Sequence, residues 1–503
     1  MRAGYMVMAI VAVALGLVFL LRDPAAIHGN LASVARSVAP AAFATDNTAT
    51  AGDVNVCIFL IDTLRADRLN VYGYDRHVTS PHMDALARSG VVFEQAYSPA
   101  PWTLPSVASL MTSQFPCEHG LVETRQAFAE HVETLPEHLK SIGFTTIGLY
   151  ANTMVSPAFG FGEGYDFYCE SLYNEGAQIA EARRLYAGRP FFLYVHNYEP
   201  HNPEYFAPAH TPGFRDVPLS VRARMSQHYR KYRAAVWGDY EAGRPAGSTD
   251  VRSVQAEHVQ AFVRMLDDYN ELYDAAVRKA DDRMGSVIDA LKRRGEWNST
   301  LFILLSDHGE EMYDHGGWSH DQSVYEEMVR VPLIVKFPRN QYAGTRVREV
   351  VSLVDVMPTV LDVIGQADRP TEARGASLRP LIETRGRQPA GAMVVPAMRH
   401  NVMSTYPYWQ ERIGDLNVVV RQDEWKAIWN VEKASTELYD LSTDPREQRN
   451  VAAEHPERAE AMRRTAEQWY TACGNRAAAS PNVQPNELDE ETIRRLRTLG
   501  YMG

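Results

Sequence analysis

Cysteine is scarce in this 503-residue chain, with four residues in all, and none stands in the short paired spacing of a zinc ribbon or a thioredoxin-like redox site. Cys57 lies in an apolar run and reads as a small buried hydrophobe. A disulfide among Cys117, Cys169 and Cys473 is open in an oxidising compartment, with no pairing assigned by spacing. An excess of basic residues is also missing: 51 Lys and Arg stand against 63 Asp and Glu, for a net charge of −12. That balance excludes a non-specific nucleic-acid binder working through a basic surface. An anionic substrate would have to be met locally, by a metal or a few cations.

Long apolar runs are lacking apart from residues 4–21, which are uncharged between Arg2 and Arg22. Eighteen such residues are about the minimum for a bilayer-spanning helix. The nearest persuasive cleavage site, Ala42-Phe43-Ala44, lies too far downstream for an ordinary signal peptide, so residues 1–22 read as a membrane anchor or signal segment, with the uncleaved anchor favoured. Arg2 and the terminal amine outweigh Arg22 beside Asp23, which orients the body outward, into a periplasm or outside the cell.

Residues 23–52, rich in Ala, Ser and Thr without periodicity, read as a tether. Folded sequence then begins at Val54, and Val56-Cys57-Ile58-Phe59-Leu60-Ile61 is a continuous apolar run of the kind found in a buried parallel strand. Similar runs recur at 144–150, 191–195, 301–305 and 331–335, separated by helical patterns. The clearest helix is expected over 254–294, stopping at Gly295. The alternation predicts an α/β fold: a large doubly wound, mostly parallel sheet with helices on both faces over 53–390. Residues 205–250 fit neither strand nor clean helix and read as a lid or a solvated insertion. From 391 to 503, short alternating pieces at 416–421 and 425–429 and a helix over 456–472 predict a small antiparallel-sheet subdomain.

Two apolar strands end in charge, Asp62-Thr63 and Asp307-His308. Buried strands rarely end in carboxylates without a partner. Two hard oxygens and an imidazole suit one divalent metal ion such as Zn, Mn, Mg or Ca. If the Thr103 hydroxyl completes that site, the metal would favour its deprotonation for attack.

These pieces resemble the sulfatase family of the alkaline phosphatase superfamily. The similarity runs from Asp62-Thr63-Leu64-Arg65 through Thr103-Leu104-Pro105-Ser106 and Glu199-Pro200-His201 to Ser306-Asp307-His308-Gly309. It continues through Glu326-Glu327-Met328 to Glu437-Leu438-Tyr439-Asp440-Leu441. The resemblance implies Asp62, Asp307 and His308 as metal ligands and Thr103 as nucleophile and further ligand. It implies His201 and His320 at the transferred group or leaving oxygen, with Asn152 and Thr63 facing substrate.

Departures from the family pattern matter as much. Thr103 stands where sulfatases carry the Cys or Ser oxidised to formylglycine, so no formylglycine is expected. Val107 replaces an arginine, Asn152 a lysine, Thr63 an acidic ligand and His320 a late lysine. A threonine ester cannot collapse to an aldehyde and must be cleared by in-line attack, a route familiar for phosphoryl transfer. The expectation is therefore a hydrolase of a sulfate or phosphate ester, leaning to a phosphate ester or diester. Its substrate would be an anionic ester on a glycan, lipid headgroup or small molecule. Two other readings accompany it: a phosphoethanolamine-transferase-like phosphotransferase, suggested by Thr103 and by a His thirteen positions after Asp307, and a non-catalytic sulfatase-like binding protein. His77, His82, His119 and His315 are expected to be structural or surface histidines.

Overall fold

The computed structural model describes residues 54–499, apart from 228–262 and shorter stretches at 123–125, 130–131, 172–174, 186–187, 321–322, 367–372, 385–397, 400–415, 480–482 and 486–487. The expected anchor and tether lie outside the described residues. Among the described residues no helix is long and apolar enough to cross a membrane.

Eight strands form the main sheet: β1 (Asn55–Ile61), β2 (Val91–Tyr97), β3 (Thr145–Tyr150), β4 (Phe167–Glu170), β5 (Phe191–Asn197), β6 (Thr300–Leu305), β7 (Arg330–Lys336) and β8 (Thr345–Ser352). Their order is β8-β2-β7-β6-β1-β5-β3-β4. Only β7 runs against its neighbours, β2 and β6; the other pairings are parallel. The large, mostly parallel sheet of the sequence reading is therefore present. All seven residues of β1 are buried, as the continuous apolar run requires of a central strand covered on both faces.

Strand β1 lies between β5 and β6, with Leu60 level with His196 on one side and Leu305 on the other. Asp62 and Asp307 thereby leave the sheet side by side at its carboxyl edge, where open α/β sheets bind ligands. Helix α1 (Thr103–Thr112), buried along its whole length, brings Thr103 to the same edge. Helix α2 (Leu266–Arg293) packs Tyr269, Leu272, Tyr273, Ala276, Ala280, Met284, Val287 and Leu291 inward, as its periodicity predicts.

The expected start of that helix at 254 falls outside the described residues. The described chain turns at 264–265, and continuous helix begins at Leu266 with Asp267 and Asp268 favouring its N-terminus. Gly295, at φ +72°, follows its end.

The second sheet contains Met398–Arg399, β9 (Asn417–Gln422), β10 (Trp425–Asn430) and β11 (Ser435–Asp440), all antiparallel. Helix α3 (Pro456–Ala479) runs seven residues past the expected 472. Cys473, just past the expected end, shares a core with Met462, Ala466, Val418, Val420 and Trp429. Cys473 is joined to Cys117 across 356 residues of sequence, with Cα atoms 5.8 Å apart. Cys57 is fully buried, and burial raises its thiol pKa far above the usual range. The last helix, α4 (Glu490–Leu499), returns to the main body and inserts Leu496 into the principal core.

Candidate active site

Asp62 and Asp307 are fully buried with unequal partners at their two oxygens. Asp62 Oδ2 accepts from Asn152 Nδ2 at 2.7 Å and lies 3.1 Å from His196 Nε2. Asp307 Oδ1 accepts the amides of Thr63, at 3.3 Å, and His308, at 3.0 Å. The other two oxygens, Asp62 Oδ1 and Asp307 Oδ2, accept no hydrogen bond. His308 Nε2 faces both, at 3.6 and 3.5 Å.

The tautomer of His308 follows from its other nitrogen. Nδ1 lies 2.8 Å from the Gly309 carbonyl, which can only accept, so Nδ1 carries the proton and Nε2 presents a lone pair. Two orphaned carboxylate oxygens and an imidazole lone pair converge, with ligand atoms within 4.8 Å of one another. Burial raises the Asp62 carboxyl to about 6 and shifts Asp307 upward as well, with the Asp62 charge adding to the latter. A divalent cation would relieve all of this, and the donor set fits one.

Thr103 is the first residue of α1, where the free amides and the helix dipole favour negative charge. Its Oγ1 lies 3.3 Å from His308 Nε2 and accepts from Asn152 Nδ2 at 3.2 Å. Asn152 thus bridges Asp62 and Thr103, while its Oδ1 is held by the Met154 amide. Thr63 adopts φ +57°, an uncommon conformation for a β-branched residue. Its carbonyl accepts from Tyr273 Oη at 2.6 Å, and the same phenol accepts the Arg65 amide at 3.0 Å. Helix α2 thereby holds the turn that aims Asp62 and offers the Thr63 amide to Asp307.

His201 and His320, both buried, extend the site outward from His308. Ring centroids are 4.8 Å apart for His308 and His320, and 4.7 Å for His320 and His201. His201 stacks on Tyr198, and His320 Nδ1 lies 3.5 Å from Glu310 Oε2. Beyond them opens a small pocket lined by His201, Glu204, Met225, Tyr269, Glu310 and Trp318 among others. Met225 belongs to a helical stretch at 219–227 within the segment read as lid or insertion, so this part of it covers the cavity.

The structure brings Asp62, Thr63, Thr103, Asn152, Asp307 and His308 together, with His201 and His320 alongside. Val107, standing where the family pattern has an arginine, packs in the hydrophobic core. His196, Glu204 and Tyr273 were missed by the sequence reading. A histidine inside the apolar run 191–195 and its continuation gives no signal of its own. Only the pairing of β5 with β1 sets it against Asp62. Burial lowers the His196 pKa to about 4, so its neutral ring donates from Nε2 to Asp62 and accepts from Tyr194 Oη at Nδ1, 2.9 Å away.

Fold and donor set together define a metal-dependent ester hydrolase on an alkaline phosphatase-like sheet. The sulfatase family matches residues 54–366, more than half of the chain, and the N-sulphoglucosamine sulphohydrolase C-terminal family matches 314–471. The chain belongs to the sulfatase family. It is 23% identical to an N-acetylglucosamine-6-O-sulfatase of Bacteroides thetaiotaomicron, over 79% of this chain and 82% of that protein. It is also 23% identical to an arylsulfatase of Clostridium perfringens, over 82% and 93%. Among solved structures, the phosphonate monoester hydrolase of Agrobacterium radiobacter superposes with a TM-score of 0.60 at 20% identity, covering 87% of this chain and 98% of that one.

Proposed function

We propose that this protein is a membrane-anchored, extracytoplasmic ester hydrolase in which Thr103 is the nucleophile, acting on a phosphate ester or diester in preference to a sulfate ester. The observation that carries this reading is the position of Thr103 Oγ1, at a helix N-terminus and within 3.3 Å of His308 Nε2 and Asn152 Nδ2. Asp62, Asp307 and His308 would hold a divalent cation, whose chemistry is to favour the Thr103 alkoxide and to neutralise charge on the ester oxygens. Asn152 fixes the hydroxyl and the Asp62 carboxylate in one geometry. The Thr103 hydroxyl gives up its proton to one of His201 and His320 as its oxygen attacks the phosphorus in line, the bond to the leaving oxygen breaks, and that oxygen takes a proton from the other. Water then attacks the phosphorus in line, losing a proton to the neutral histidine as the bond to Thr103 Oγ1 breaks and that oxygen is reprotonated by the other, because threonine has no aldehyde hydrate through which to expel the anion. A non-catalytic role would leave the orphaned oxygens of Asp62 and Asp307 without purpose.

The anchor is assigned to the apolar residues 4–21, and the Cys117–Cys473 disulfide supports an oxidising compartment. The test is a panel of aryl sulfate, aryl phosphate and bis-aryl phosphate with added Mn, Zn, Ca or Mg. Phosphate or diester turnover lost in Thr103→Ala is the expected result; a clear sulfate monoester preference overturns the phosphate assignment.

A further inference from the structure

Asp62 and Asp307 each give one oxygen to a protein donor and turn the other toward His308 Nε2, and behind each donor stands a buried phenol. Asp62 Oδ2 is met by His196 Nε2 at 3.1 Å. Tyr194 and His196 are two positions apart on β5 and share a face of the strand, so the phenol reaches Nδ1 of that ring at 2.9 Å. Asp307 Oδ1 accepts the Thr63 amide at 3.3 Å. Tyr273, on α2, donates to the Thr63 carbonyl at 2.6 Å and accepts the Arg65 amide at 3.0 Å. Both phenols are buried, and burial keeps them protonated well above the usual tyrosine range, so each serves as a donor.

Each hydroxyl decides what its partner does at the carboxylate. A phenol donating to Nδ1 leaves the proton of the neutral ring on Nε2, the nitrogen that faces Asp62. Without that donor the ring is free to carry its proton on Nδ1 and to set a lone pair against the carboxylate. Thr63 stands at φ +57°, a costly conformation for a β-branched residue, and Tyr273 ties the backbone on both sides of it. Without the tie the turn can relax and withdraw its amide from Asp307.

We infer that Tyr194 and Tyr273 are positioning residues for the metal: acting through His196 and Thr63, they keep Asp62 Oδ1 and Asp307 Oδ2 turned toward one point and so set the affinity for a divalent cation. The inference rests on the reading of Asp62, Asp307 and His308 as cation ligands and deepens it. A cation then meets carboxylates that are already oriented, by two routes that come from opposite elements, β5 and α2.

Full-length protein treated with chelator is titrated calorimetrically with manganese, and in parallel with zinc and magnesium. Tyr194→Phe and Tyr273→Phe, each the loss of one oxygen, should each weaken manganese binding by about 10- to 100-fold, the scale of a lost hydrogen-bond partner behind a metal ligand. Tyr72→Phe is the comparison, since Tyr72 Oη donates to the Phe93 carbonyl and accepts the Leu333 amide, both at 3.0 Å, on β2 and β7. It should lower Tm and leave manganese affinity unchanged. His196→Ala should weaken binding at least as much as Tyr194→Phe. In that background Tyr194→Phe should add nothing, because its route runs through the ring, whereas Tyr273→Phe should still cost about its full factor.

Wild-type affinity in either tyrosine variant overturns the inference. So does an equal loss in Tyr72→Phe, or a loss from Tyr194→Phe that persists without His196. Wild-type protein that takes up none of the three metals would overturn the cation-site reading itself, and this inference with it.

Discussion

Two buried clusters of charge in this molecule are built from similar residues and solved in opposite ways. At the carboxyl edge of the main sheet, Asp62 and Asp307 face one another across His308 with two oxygens unpartnered. Between the two sheets, Lys426 lies 3.1 Å from Glu326 and 2.9 Å from Glu447, and Arg421 bonds Tyr97 Oη at 2.9 Å. His315 completes the second cluster, with Nδ1 2.7 Å from Glu327 and Nε2 3.1 Å from the Glu447 carbonyl. Both of its nitrogens face acceptors, so the ring is held as a cation. Charges in the second cluster cancel internally, which is what burial demands of a structural element. Charges in the first cluster do not cancel, and on the proposed reading the deficit is where a metal and an anionic ester would be held. Burial of charge does not by itself mark a site; unbalanced burial does.

The comparison breaks first at the chemistry. Thr103→Ala should lower kcat by about three to six orders of magnitude while bound metal, measured by elemental analysis, stays at the wild-type level. Asp307→Asn should lose both. Substitution in the other cluster should do the reverse. Lys426→Met leaves Glu326 and Glu447 facing one another and should cost about 3–5 kcal/mol of stability, with kcat of the folded fraction retained below the transition. Retained stability in that variant would show that the inter-sheet cluster is not self-neutralised as described.

Opening the Cys117–Cys473 bond, by reduction or in Cys473→Ala, should cost about 2–5 kcal/mol, read as a lower denaturation midpoint. A smaller effect separates the clusters by sign. In chelator-treated protein, Asp62→Asn removes one of two repelling buried charges and should raise Tm by about 1–3 °C. Glu447→Gln should lower Tm under the same conditions. A drop in both would mean that the first cluster is as balanced as the second.

The smallest effect is a pH dependence. Burial pulls the His315 pKa down, but the Glu327 carboxylate and the Glu447 carbonyl and charge more than offset it and raise it to about 9. With an unfolded value near 6.5, its contribution is complete below about pH 6.5 and is lost as pH rises through 9. Tm measured from pH 6 to 9.5 should therefore fall less steeply in His315→Gln than in wild type.

Much of the first cluster was legible in the chain because parallel strands buried on both faces read as unbroken apolar runs. A carboxylate at the end of such a run has few structural explanations. Asp62 and Asp307 were found on that ground, and Thr103, Asn152, His201 and His320 by resemblance to a family. His196 was not, since a histidine within a strand looks like any buried polar residue until the neighbouring strand is known. Glu204 was not, since one acid in a short loop helix looks solvated. His315, expected to be structural or superficial, is structural, but its role needed Glu327 and the Glu447 carbonyl, 12 and 132 residues away.

Sequence alone determined the local matters: which runs become buried strands, where they end in charge, and that a threonine, proposed as the nucleophile, stands at position 103. These follow from side-chain polarity and periodicity, which act over a few residues. Tertiary structure decided the rest: that β5 places His196 on Asp62, that Cys117 finds Cys473, that two carboxylate oxygens go unpartnered and that Glu204 and Glu310 line one pocket. Those are differences of a few ångströms between segments up to hundreds of residues apart, set by strand order and packing, and the free energy of a buried charge depends on that separation.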